Sequence, residues 1–169
     1  MKLSIKTPQW IFAIALTGFI AACSENADVA NVSTQHKPID AVALDVYKSP
    51  TCGCCGDWVT HVEAAGFNAA LHHPSDLNQL KTDQGVAPRY RSCHTAVSQD
   101  GYVFEGHVPA DIMQRFLANP PEDALGLAVP GMPVGSPGME MGDRFDSYDV
   151  WLLTKSGRDR VYQHIAGKR

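Results

Sequence analysis

Apolar and polar positions alternate from Val42 to Tyr47, with Val42, Leu44 and Val46 on one face, which predicts a first strand. Trp58, Val59, Val62 and Ala65 then recur at helical spacing, and Gly66 is placed to end that helix. Phe67 to Leu71 reads as a second strand, weakened by its alanines. Ser75 is the expected N-cap of a short helix carrying Leu77 and Leu80 and closed by Gly85. Thr95 to Ser98 and Tyr102 to Val108 read as two strands around an Asp100-Gly101 turn. Pro109 opens a third helix with Ile112, Met113, Phe116 and Leu117 along one stripe, which assigns Met113 to the core, and Asn119-Pro120-Pro121 stops it. From Leu127 to Gly142 repeated Gly and Pro exclude regular structure. Tyr148 to Thr154 and Arg160 to Ile165 close the chain as a hairpin around Ser156-Gly157.

The first strand-to-helix junction carries the chemistry. Ser49-Pro50-Thr51-Cys52-Gly53-Cys54-Cys55-Gly56 holds three thiols within four residues, and adjacent cysteines cannot all face one core. Free N–H groups and the positive end of a helix dipole there favour thiolate. Cys52 and Cys55 fit three readings: a redox pair, half of a zinc knuckle, or a soft-metal clamp. Cys93 and His94 add a second pair further on, and His107 is either a further ligand or a hydrogen-bonded core histidine. The long Gly/Pro loop holds Met132, Met139 and Met141, three of the five methionines. Thioether suits Cu(I), is a poor zinc ligand and forms no disulfide. His61 and the His72-His73 pair are expected to be exposed.

The element order β-α-β-α-β-β-α, with cysteines at its first strand-to-helix turn, resembles the thioredoxin-like fold. An α/β domain over 42–166 is therefore expected, with the Met/Gly/Pro-rich loop and the C-terminal hairpin added to that core.

Composition and the N-terminus supply an address. Hydrophobic residues make up 44% and charged residues 19%, as in globular domains, and the net charge of −4 with no basic stripe gives nucleic-acid binding no support. Lys2 and Lys6 precede a short apolar stretch from Trp10 to Ala22, the pattern of an export signal and too short for a comfortable membrane span. Ile20-Ala21-Ala22-Cys23 resembles a bacterial lipoprotein signal over 1–22, in which Cys23 is lipidated; Ser24 after it implies the outer membrane. The expected location is thus the periplasmic side of the cell envelope, with membrane contact through a lipid anchor only. Residues 23–41 read as a flexible tether.

Four ordered motifs are more specific. Tyr47-Lys48-Ser49-Pro50-Thr51-Cys52-Gly53-Cys54-Cys55, Ser92-Cys93-His94-Thr95-Ala96, Glu105-Gly106-His107-Val108-Pro109 and the stretch from Gly131 to Glu140 together resemble the DUF411 family. That resemblance implies a small exported bacterial metal-binding protein associated with copper resistance. The expected function is sequestration or transfer of Cu(I), with other periplasmic copper proteins as partners. Cys52, Cys55 and Cys93 are the leading thiolate ligands, Cys54 and His94 the next, and the loop methionines a lid. Two alternatives stay open: a thiol–disulfide oxidoreductase using Cys52 and Cys55 with Cys93, and a structural zinc site in an interaction module.

Overall fold

The computed structural model describes residues 41–167. The expected signal sequence, the lipidation site at Cys23 and nearly all of the tether lie outside the described residues. Among the described residues, no helix is long and apolar enough to cross a membrane.

Among the described residues, seven strands form one mixed sheet. They are β1 (Val42–Lys48), β2 (Phe67–His72), β3 (His94–Ser98), β4 (Val103–Glu105), β5 (Ala124–Ala128), β6 (Tyr148–Thr154) and β7 (Arg160–Ile165). Their order in the sheet is β2-β1-β3-β4-β5-β6-β7. The β1/β2 and β4/β5 pairs are parallel and the others antiparallel. Helices α1 (Gly53–Ala64), α2 (Leu77–Asp83) and α3 (Ala110–Ala118) complete the fold, with a 3-10 turn at Pro88–Tyr90.

The strand alternation sorts side chains onto two cores. Leu44, Val46, Ala96, Phe104 and Leu127 face α1 and α3, where Trp58, Val59, Val62, Ile112, Met113 and Phe116 meet them. Val103, Ala128 and Leu153 face the opposite way, against Val86 and Tyr90. Met113 is core, as its stripe predicts.

The element order through α3 follows the pattern read from the sequence, with four differences. Asp76, not Ser75, caps α2: its carboxylate accepts from the Gln79 amide at 2.9 Å. The fourth strand covers only Val103–Glu105, because Gly106 turns the chain at φ +73. A Cβ at Gly106 would lie 2.5 Å from the Val129 carbonyl oxygen and 2.6 Å from Ser92 Cβ, so only glycine permits this close approach. Strand β5 has no counterpart in the predicted elements. His61 is half-buried rather than exposed, and its Nε2 accepts from the Ala110 amide at the start of α3.

A candidate metal centre of cysteine and histidine

The centre forms where the C-terminal end of β1, the N-terminus of α1 and the N-terminal end of β3 meet. Cys52 is the N-cap of α1 in extended conformation, so the chain turns into the helix at its first thiol. Cys52 and Cys55 are joined as a disulfide, and Cys54 Sγ lies 3.6 Å from Cys52 Sγ. Cys55 is buried, whereas Cys52, Cys54 and Cys93 are half-buried.

Lys48 pairs with His94 across β1 and β3, which brings the second motif beside the first. The ligand atoms of Cys52, Cys54, Cys55 and Cys93 all lie within 4.8 Å of one another, and so do those of Cys93, His94 and His107. Cys93 is the member common to both groups.

The histidines are prepared as neutral donors. His107 Nδ1 donates to the Pro137 carbonyl at 2.7 Å, which leaves Nε2 as an acceptor facing Cys93 Sγ at 3.0 Å. Holding one ring nitrogen on a carbonyl fixes the tautomer in the way metal-ligating histidines are oriented. His94 has its Nδ1 at 3.3 Å from Cys93 Sγ, while its Nε2 is buried with no hydrogen-bond partner among the described residues. Burial is the main cause that lowers the pKa of both rings; for His94 the fields of His107, Lys81 and Lys48 add to it. Burial, then the neighbouring Cys54, pushes the Cys93 thiol up to about 11. Soft sulfur, neutral imidazole and an orphaned buried nitrogen fit a soft or borderline metal ion. The disulfide removes Cys52 and Cys55 as thiolate donors until it is reduced.

The methionine loop reaches this centre at Pro137 and Gly138, and its Gly131 carbonyl accepts from the Ser92 hydroxyl beside Cys93. Pro137 holds His107, and Gly138, at φ +81, packs on the first turns of α1. A Cβ at Gly138 would sit 2.6 Å from the Cys54 carbonyl oxygen and 2.7 Å from the Trp58 nitrogen. The loop also bonds itself, through Gly135 N to Met139 O, Met139 N to Ser136 O and Ser136 N to Pro133 O. Met139 is half-buried, while Met132 and Met141 are 52% and 55% exposed. Gly138→Ala is expected to lift the loop from α1 and cost about 1–3 kcal/mol of stability. Thermal melting together with faster hydrogen exchange at the Met139 amide checks this; unchanged exchange would contradict the packing role.

Trp58 belongs to the centre although its sequence position gave it only a core role. Its ring packs on His94 at 4.4 Å between centroids, and its Nε1 donates to Val108 O at 2.9 Å. Its place one turn after Cys55, and the need of a buried indole N–H for an acceptor, are the signals that single it out.

Fold and site together define a mixed α/β protein whose Cys/His groups could hold a metal ion. The family model described as "Protein of unknown function, DUF411" matches residues 90–139. Two solved structures are similar. "Copper resistance protein CopG, form 2" is 46% identical with a TM-score of 0.70, over 74% of this chain and 98% of that one. Form 1 of the same protein is 47% identical with a TM-score of 0.71, over 75% and 99%. No curated protein matches the chain. The chain belongs to the DUF411 family.

Proposed function

We propose that the protein binds Cu(I) as cargo at the Cys/His centre, sequestering it or passing it on, and so contributes to copper resistance or homeostasis. The observation that carries this reading is Cys93, whose sulfur belongs at once to a group of four sulfurs and to a Cys/His/His group. The similarity to two structures of one copper resistance protein supports copper over other soft metals. Cys93, His94 and His107 are donors in the disulfide form, and reduction adds Cys52 and Cys55 to Cys54. Met139 is half-buried and Met132 and Met141 are exposed on either side of it, an arrangement of thioethers suited to receiving the ion from outside. We read β1 to α3, with the sheet order β2-β1-β3-β4, as a thioredoxin-like scaffold extended by β5 to β7. Export, anchoring to the outer membrane through Cys23 and exchange with other periplasmic copper proteins complete the proposal.

A second reading, thiol–disulfide exchange, is favoured by one observation: the Cys52–Cys55 disulfide has a free thiol, Cys54, at 3.6 Å. Competition separates the readings. Anaerobically reduced protein, offered both metals against a Cu(I) chelator, is expected to retain Cu(I) in preference to Zn(II). Retention of zinc alone would overturn the copper reading and leave the structural zinc module. Catalytic turnover of a disulfide substrate with no Cu(I) retention would favour exchange.

A further inference from the structure

Beneath the centre, on the opposite face of the sheet from α1, lies a pair of charges that the metal site does not use. Lys81 of α2 is 2% exposed and Glu105 of β4 is fully buried. Lys81 Nζ donates to Glu105 Oε1 at 2.5 Å and to Thr95 Oγ1 at 3.0 Å. The Thr95 hydroxyl donates to Glu105 Oε2 at 2.6 Å, and the Ser92 backbone N–H donates to Oε1 at 2.6 Å. One carboxylate therefore receives donors from the residue immediately before Cys93 and from the residue immediately after His94. The following residue, Gly106, touches the same segment: its amide donates to His94 O at 3.0 Å, and the space its missing Cβ would fill is taken by Ser92.

A buried ion pair is weak evidence for stability, because desolvation offsets its Coulomb attraction; its best attested use is to select one arrangement. What this pair selects is visible in its contacts. Ser92 and Thr95 are pinned from below while Cys93 and His94, between them, are left to face the centre. His107, two residues from Glu105, completes the three-ligand group on the neighbouring strand end.

We propose that Glu105, held in place by Lys81, is the positioning residue of the Cys93-His94 limb: it sets the direction of the Cys93 thiol through the Ser92 amide and does not itself touch the metal. Its effect on copper rests on the reading of Cys93 as a ligand; its effect on the geometry of Cys93 does not.

Two double variants that remove both charges isolate the acceptor. Lys81→Met with Glu105→Gln keeps a carbonyl oxygen for the Ser92 amide, whereas Lys81→Met with Glu105→Leu removes it at similar volume. Site-resolved alkylation of Cys93 in reduced, metal-free protein is the primary measurement, with thermal melting as a check on folding. In the leucine variant the Cys93 rate is expected to change by at least about tenfold, the equivalent of one lost buried hydrogen bond, and in the glutamine variant to return to within about threefold of wild type. Equal rates in wild type and the leucine variant overturn the proposal, as does a glutamine variant no better than leucine. Native protein gives a test that no variant's misfolding can spoil: the Ser92 amide should exchange its hydrogen slowly, and exchange as fast as in an exposed loop overturns the assignment. Cu(I) chelator competition on the same variants reads the other question. An altered Cys93 rate with wild-type Cu(I) affinity upholds the positioning role and removes Cys93 from the copper site.

Discussion

Serine in place of Cys93 is expected to lower Cu(I) affinity by more than about 100-fold, beyond the range usual for partners that only orient a ligand. The reason is the double membership of its sulfur. Removing Cys54 leaves the Cys93, His94 and His107 group whole, and removing either histidine leaves four sulfurs. Removing Cys93 breaks both groups, and a serine hydroxyl is a poor donor to a soft ion. Because Cys93 is half-buried and its contacts are with His94, His107 and Ser92, the fold should lose only about 1 kcal/mol. Chelator competition on Cys93→Ser and Cys54→Ser, both shown folded by melting, makes the comparison. A loss in Cys54→Ser with none in Cys93→Ser would place the metal among the α1 thiols alone.

The parts of the molecule that were legible in the sequence are those fixed by local rules. β1 shows its alternation, α1 and α3 show their stripes, and the hairpin of β6 and β7 is bounded by its turn residues. The thiol turn was legible because three cysteines at a strand-to-helix junction have no packing explanation. Features fixed by tertiary contacts were not. β5, Ala124–Ala128, has no β-branched residue and holds a glycine; it is a strand because β4 and β6 pair with it on both sides. The shortness of β4 follows from the crowding of Gly106 against Ser92 and Val129. The sequence reads His107 either as a ligand or as a hydrogen-bonded core histidine; in the structure one nitrogen is bonded to Pro137 and the other faces Cys93. Lys81 sits on a helix that periodicity assigns through Leu77 and Leu80, and nothing local tells that its ammonium crosses to a carboxylate on β4. The partner of a buried charge is a property of the packed sheet.

Raising the pH is expected to tighten Cu(I) binding, and the slope identifies which groups release protons. The Cys93 thiol is pushed up to about 11, so near neutrality it carries its proton in the metal-free protein. A metal takes the thiolate, so binding must displace that proton, and affinity rises by about tenfold per pH unit for each proton released, up to the thiol's own pKa. His94 and His107 act differently. Burial lowers both, so they are already neutral near pH 7 and give up nothing on binding there. Above about pH 7 the dependence therefore reports thiols, and Cys93 alone contributes about tenfold per pH unit up to its own pKa. Chelator competition at several pH values, with the chelator's own titration measured in parallel, yields the slope. Cys93→Ser should reduce it by one proton while leaving the contribution of the remaining thiols. An unchanged slope in that variant would show that Cys93 keeps its proton when copper binds, and the sulfur shared by the two groups would then not be a ligand.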